Sequence, residues 1–236
     1  IIKVAKESKA DCIHPGYGFL SENPDFAQAV ISVGIKFIGP SPKIMKLLGN
    51  KIESRKVAEN ANVPVVPATG PLPQKINQIG SLANQIGYPL MLKASWGGGG
   101  RGMRIIRNKD ELSSQVSSGK RESYNAFGND EVYFEKFLEQ ARHVEVQILG
   151  DLYGNIVHLF ERDCSMQRRN QKIVERAPAD YLDDETRKSI CDAAVRLCKS
   201  VDYFCAGTVE FLMNIDSKDF YFIEVNPRIQ VEHTVT

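Results

Sequence analysis

The sequence predicts a mixed protein, α/β at its start and α+β after that. Three observations carry this expectation. Helices and short strands alternate up to residue 40, a connector with four prolines (VPVVPATGPLP, 63–73) divides the chain, and β-rich segments of period 2 dominate after Arg142. The first part should be a Rossmann-like layer (1–40), followed by a linker helix (41–65). A small unit suited to act as a mobile lid (66–137) and an antiparallel-sheet domain (138–236) should complete the chain.

Composition excludes several classes. At about 150 residues per domain, 236 residues suggest one or two domains. Thirty Lys and Arg against 29 Asp and Glu leave a formal charge of +1, so no charge excess points to nucleic acid or a membrane surface. A hydrophobic fraction of 42% suffices for a core and argues against disorder. No apolar run approaches the ~18 residues of a membrane span, and charges interrupt IIKVAKESKADC too early for a secretory signal. Cysteines at 12, 164, 191, 198 and 205 form neither C-x-x-C nor a zinc spacing. Such unpaired thiols suit a reducing compartment, and the expected location is cytoplasmic. The spacing of Cys191 and Cys198 puts both on one helix face as small buried residues. Ile1, Ile2, Val4 and Ala5 read as a helix under way without a cap, so the chain is expected to be a fragment of a longer protein.

The elements follow in order. Residues 11–15 make a short strand ending in HPGYG. Ser21 or Asn23 caps a helix with Pro24 at its start, and IKFIGP is a second strand. Ser41-Pro42 opens a helix that Gly49-Asn50 interrupts before Lys51. After the connector come a helix near 75–87, strand YPLMLKAS, loop WGGGGRG, strand MRIIR, a helix near 108–127 and strand EVYFEKFL. Strands HVEVQILGD, NIVHLFERD and KIVERAPA follow, then a helix from Asp183 or Asp184 to about Ser200. GTVEFLM and DFYFIEVN form a closing hairpin.

Chemistry concentrates at a few places. Gly97–Gly100 and Gly102 let backbone N–H groups approach an anion without Cβ interference. Neither the P-loop pattern nor a strand–glycine–helix order is present, so this is a flap over phosphates or a hairpin tip. Lys93, on the strand before it, reaches a phosphate or snorkels to solvent. In the closing hairpin, with its centre near residue 217, Glu210 and Glu224 fall opposite each other, Cβ atoms roughly 5 Å apart. Facing acids in a half-buried sheet call for a cation such as Mg²⁺ or Mn²⁺, and Asn226 shares the face of Glu224. Beyond stand Arg228, Gln230, Glu232 and His233. Arg228 can hold a planar oxyanion through two parallel bonds, and Glu232 can act as a base. The run ERDCSMQRRNQK is either a solvated basic turn or a set of donors, Lys172 among them, lining the same anion site. His14 and His143 read most simply as structural hydrogen-bonders.

Together, HPGYGFLSEN (14–23), LKASWGGGGRGMR (92–104), EKFLE (135–139), RHVEVQ (142–147), ERDCSMQRRNQK (161–172), GTVEFL (207–212) and FIEVNPRIQVEHTVT (222–236) resemble the biotin carboxylase family, whose fold is ATP-grasp. The resemblance runs through the whole chain in order. It implies ATP-dependent activation of bicarbonate to carboxyphosphate and carboxylation of biotin borne on a separate carrier domain. By the resemblance, Lys51 and Lys93 bind phosphates, and the loop with Gly98, Gly99, Gly100 and Met103 covers the nucleotide. Glu135, Lys136 and Leu138 form the adenine hinge, His143 lies by the ribose, and Gln167 and Asn170 are further nucleotide contacts. Glu210, Glu224 and Asn226 hold Mg²⁺ or Mn²⁺. Lys172, Arg228, Gln230 and the backbone of Val231 hold bicarbonate, and Glu232 deprotonates it. The basic run is thereby assigned to the site.

Implied partners are the biotin carrier domain and a carboxyltransferase domain, in a full-length homo-oligomer. HTVT and RRNQKIVERAPA favour the branch of the family that passes the carboxyl group to pyruvate over those that use acyl-CoA thioesters. Asn170 departs from the histidine of many members. The family's first strands precede residue 1 and one active-site arginine follows residue 236, so the isolated segment is not expected to turn over. Another ATP-grasp ligase, or a regulatory nucleotide-binding module, are the rival functions.

Overall fold

The computed structural model describes residues 1–96, 103–168 and 171–236. The glycines expected over the nucleotide (Gly98, Gly99, Gly100) and Asn170 lie outside the described residues.

The first layer consists of α1 (Ile2–Glu7), β1 (Cys12–Ile13), α2 (Pro24–Ile31) and β2 (Lys36–Phe37). β1 and β2 pair in parallel, an arrangement that requires a crossover, and α2 lies between them in sequence. Asn23, not Ser21, caps α2: its Oδ1 accepts from Phe26 N at 2.8 Å, and Pro24 occupies the first turn, where its missing N–H costs nothing. The expected linker helix is two helices, α3 (Pro42–Gly49) and α4 (Lys51–Asn60). Asn50 causes the break, because its Oδ1 accepts from both Ile52 N and Glu53 N at 3.0 Å and so starts a new helix. These helices are not a loose linker. Ile44, Leu48 and Ala58 belong to the same core as the large sheet.

The connector is stitched to both sheets. Pro64 O accepts from Phe222 N at 2.7 Å, while Pro67 O accepts from Lys136 N and Phe134 O accepts from Thr69 N, both at 2.8 Å. Beyond it come α5 (Ile76–Ile86), β3 (Leu90–Ala94), β4 (Arg104–Ile106), α6 (Leu112–Phe127) and β5 (Val132–Lys136). The strands form an antiparallel sheet in the order β4-β3-β5, covered by helix residues such as Ile79, Leu112 and Val116 packed on Leu90, Leu92, Ile106 and Phe134.

The second half builds β6 (Ala141–Gly150), β7 (Ile156–Arg168), β8 (Gln171–Arg176), α7 (Asp184–Lys199), β9 (Cys205–Asn214) and β10 (Phe220–Asn226). They form an antiparallel sheet in the order β10-β9-β6-β7-β8. The described part of the basic run lies on strands: β7 continues through Arg168, β8 starts at Gln171, and Gln167 pairs with Lys172 across the ladder. Asp183 caps α7 by accepting from Thr186 N at 2.8 Å. Ile190, Ala193, Ala194 and Leu197 on α7 join Val144, Val146 and Ile148 of β6 in one core, with Cys191 and Cys198 buried there as small residues.

The alternation in β6 does not separate buried from exposed. Glu145 and Gln147, on the opposite face, are buried too, both bonded to Arg162, which also holds Gln230 and Thr236 of the segment after β10. The segment after β10 contains a 3-10 turn over Val231–Val235. No helix among the described residues is long and apolar enough to cross a membrane.

Candidate active site

A cavity of about 500 Å³ opens between the two larger sheets. The small sheet contributes Met91 and Lys93 from β3, Glu135 and Lys136 from β5, and Leu138 just beyond it. The large sheet contributes His143, Gln167, Lys172, Glu210, Glu224 and Asn226, and the segment after it Arg228, Gln230 and Glu232. Lys51 and Met103 also line the space. Val231, expected there through its backbone, is not among the lining residues and is 60% exposed.

The closing hairpin sets the two acids. Glu224 pairs with Glu210 across β9 and β10, and both reach the cavity. Near the turn, however, Phe222 pairs with Phe211 and Tyr221 with Leu212. That register alone would place Ile223 opposite Glu210. One extra residue, a bulge at Ile223, shifts Glu224 into place.

Each acid is held by cations. Glu210 Oε1 accepts from Lys172 Nζ at 2.8 Å and from Asn226 Nδ2 at 2.6 Å, while Oε2 lies 2.7 Å from His143 Nε2. Burial works to raise the Glu210 pKa, but His143 and Lys172 outweigh it and hold the carboxyl well below its ordinary value. Lys172 also donates to Glu145. Burial works against its charge, yet Glu210 and Glu145 prevail and its pKa is raised. Glu224 stands 3.1 Å from Lys51 Nζ. Lys51 sits in the first turn of α4, where the helix end disfavours a cation. Burial opposes its charge as well, and the Glu224 carboxylate more than offsets this, raising the Lys51 pKa.

The Glu210 and Glu224 oxygens are hard donors on one cavity wall. The Asn226 amide nitrogen bonds Glu210, and its Oδ1 offers a third such donor on the same wall. This donor set fits a divalent ion of the Mg²⁺ or Mn²⁺ type. A second geometric grouping, His143, Glu145 and Glu210, has ligand atoms within 4.8 Å of one another. There Glu145 is engaged by the buried Arg162 guanidinium as well as by Lys172, whereas at Glu210 and Glu224 a cation would displace only the lysine ammonium groups of Lys172 and Lys51.

Lys93 is buried in an ion pair with Glu135, neither snorkelling nor solvated. Lys136 Nζ donates to Gly87 O and Tyr88 O, both at 3.0 Å, which ties β5 to the turn before β3. Gln167 Nε2 lies 3.0 Å from His143 Nδ1 and donates to Cys164 O at 2.9 Å, fixing the imidazole edge that faces away from Glu210. Arg228 Nε donates to Glu22 Oε1 at 2.6 Å and its Nη1 to Ile229 O at 3.3 Å, so the guanidinium keeps donors for the cavity. Although the Glu22 side chain is 41% exposed, partial desolvation raises its pKa despite Arg228. His14 lies outside this cavity, beside a second hollow of about 160 Å³ that shares Arg228.

Sequence reasoning passed over four groups. Met91 and Leu212 are two residues from Lys93 and Glu210 on the same strand faces, so period 2 alone would have found these apolar walls. Glu22 and Glu145 gave no local signal; their partners, Arg228 and Lys172, are distant in sequence.

Two antiparallel sheets closing on a cleft lined by lysines and paired acids define an ATP-grasp protein. Residues 50–236 match the family described as carbamoyl-phosphate synthase L chain, ATP binding domain, and residues 1–45 match the biotin carboxylase N-terminal domain. With both modules in that order, the chain belongs to the biotin carboxylase family. It is 53% identical to mitochondrial pyruvate carboxylase of Rattus norvegicus over all of its own length and 20% of the relative's. It superimposes on the biotin carboxylase–β,γ-ATP complex of Campylobacter jejuni with TM-score 0.96 at 47% identity, covering 99% of this chain and 52% of that one. The biotin carboxylase domain of Hydrogenobacter thermophilus 2-oxoglutarate carboxylase, in complex with MgADP, ADP and bicarbonate, gives TM-score 0.94 at 47% identity over 99% and 51%. The chain thus spans a fifth of the rat enzyme and about half of these two structures.

Proposed function

We propose that this chain is the larger part of the ATP site of a biotin carboxylase, within an enzyme that passes the carboxyl group to pyruvate. One observation carries the reading: a single cavity brings the Glu210–Glu224 pair together with Lys172, Arg228, Gln230 and Glu232. ATP would lie between the sheets, with Lys51 and Lys93 facing its phosphates. Adenine would sit against Met91, Leu138 and Leu212, and His143 and Gln167 on the ribose side.

Glu210, Glu224 and Asn226 would hold Mg²⁺ or Mn²⁺, which, when bound, spreads the charge of the transferring phosphoryl group. Lys172, Arg228 and Gln230 orient bicarbonate, and Glu232 accepts its proton as its oxygen attacks the γ-phosphorus of ATP. ADP leaves, and carboxyphosphate forms. Excluding water protects that intermediate; it splits into CO₂ and phosphate, and the CO₂ bonds to the N1′ nitrogen of biotin, whose proton passes to the released phosphate. The bound nucleotide, Mg and bicarbonate in the structures of the Campylobacter and Hydrogenobacter relatives support this set of ligands.

Pyruvate as acceptor is supported by HTVT, by RRNQKIVERAPA and by the identity to the rat enzyme. The carrier and carboxyltransferase domains, and a homo-oligomer, would belong to the longer protein. The unpaired thiols support a reducing location, cytoplasmic in this reading.

The name of the larger matching family favours one rival, a ligase of the carbamoyl-phosphate type. ATP cleavage by the full-length protein decides between them. It should require bicarbonate, rise with free biotin and, with pyruvate present, yield a carboxylated keto acid. Cleavage that needs ammonia or glutamine, or ignores biotin, would overturn the proposal.

A further inference from the structure

Arg162 is fully buried in the middle of β7, 0% exposed, and does not line the cavity. A guanidinium has five N–H donors in a fixed fork and no acceptor, and here each donor has a partner. Nε donates to Glu145 Oε1 at 2.7 Å. Nη1 donates to Gln147 Oε1 at 2.9 Å and Thr236 Oγ1 at 2.6 Å. Nη2 donates to Thr208 Oγ1 at 3.3 Å and Gln230 Oε1 at 2.9 Å. The partners come from β6, β9 and the segment after β10. Neutralised by Glu145, the cation serves as a post to which that segment is tied at two points, Gln230 and Thr236.

The bond to Gln230 has a chemical consequence. Gln230 is itself buried, 2% exposed, and lines the cavity. Because Arg162 can only donate, it takes the carboxamide oxygen, and the NH₂ is the end of this cavity-lining amide that Arg162 leaves unengaged. A free glutamine amide would present oxygen or nitrogen with similar ease. We propose that Arg162 is a positioning residue that fixes the Gln230 amide as a donor, so that this corner of the cavity accepts an oxyanion and rejects a ligand presenting N–H groups. Arg162 touches no substrate; it acts through Gln230. The inference rests on the bicarbonate reading of the cavity.

The test uses the full-length protein. Bicarbonate-dependent ATP cleavage by the wild type must be seen first; its absence would count against the proposed function rather than against Arg162. Arg162→Lys has three donors for five acceptors and loses the fork. Its KM for bicarbonate should rise about tenfold or more, with the KM for ATP within about twofold of wild type. Gln230→Glu keeps a partner for Arg162 and so guards against a variant that fails to fold. It places a carboxylate oxygen where the NH₂ stood, and should raise the bicarbonate KM at least as much while leaving the melting temperature near that of wild type. An unchanged bicarbonate KM in Gln230→Glu overturns the assignment. So does a folded Arg162→Lys in which the KM values for ATP and bicarbonate move together, because that is what loss of a purely structural brace would give.

Discussion

Glu210 shows how one side chain reconciles burial with charge. It is 4% exposed, and a carboxylate so placed persists only because Lys172, His143 and Asn226 converge on it. Its folded pKa lies below the ordinary 4.5. Its stabilising contribution is therefore fully present above about pH 4.5 and is lost as pH falls through the folded value. Glu210→Gln should flatten the decline of melting temperature between pH 5 and 3 relative to wild type, a comparison that differential scanning fluorimetry makes directly. In the full-length enzyme the same variant should cut metal-dependent ATP cleavage by about a hundredfold. The cysteines behave in the opposite way. Burial pushes Cys191 and Cys198 up to about 12, whereas Cys12 is exposed. Iodoacetamide at pH 8 should label Cys12 in the native protein and spare Cys191 and Cys198 until denaturant is added, as peptide mass spectrometry would show.

Among the elements, the helix break at Asn50 matters most for the site. By capping α4 it decides where Lys51 stands, facing Glu224 across 3.1 Å. Asn50→Ala should cost about 1 kcal/mol in denaturant unfolding and raise the KM for ATP of the full-length protein through the loosened Lys51. The strand β9 makes a second case. A Cβ on Gly207 would lie 2.3 Å from Tyr203 Oη, whose hydroxyl donates to Ala206 O at 2.8 Å. Gly207→Ala should therefore destabilise by about 1–3 kcal/mol. The closing hairpin was legible because its turn residues, Asn214 to Asp219, stand out between apolar strands. The bulge at Ile223 was not: the strand DFYFIEVN carries no glycine or proline to mark it, and the simple count placed Glu224 correctly only because the centre fell half a residue from the true turn.

At the scale of the whole molecule, the site is completed by contacts that sequence distance conceals. Glu22 in the first layer holds Arg228, 206 residues away. Glu22→Gln should raise the KM for bicarbonate severalfold with little change in melting temperature, because the bond is half exposed and contributes more to orientation than to stability. A large fall in melting temperature would instead mark Glu22 as a structural tie between layers. The connector, which composition marks as a boundary, proves to be hydrogen-bonded to both sheets through Pro64, Pro67 and Thr69. Proline content signals an extended backbone but says nothing about the strand edges that such a backbone will meet.

By themselves, the residues determined the family, the order of strands and helices, the cap at Ser41, a choice of two candidates each for the caps of α2 and α7, and a closing hairpin that brings Glu210 and Glu224 together. These rest on local spacing and short-range hydrogen bonds, which a linear reading can follow. Only the tertiary structure decided that β6 lies between β9 and β7, that its polar face is buried, and that Arg162 and Glu145 meet beneath the cavity. The adjacency of strands far apart in the chain is chosen by packing the whole core at once, and a buried charge becomes tolerable only when every partner has arrived.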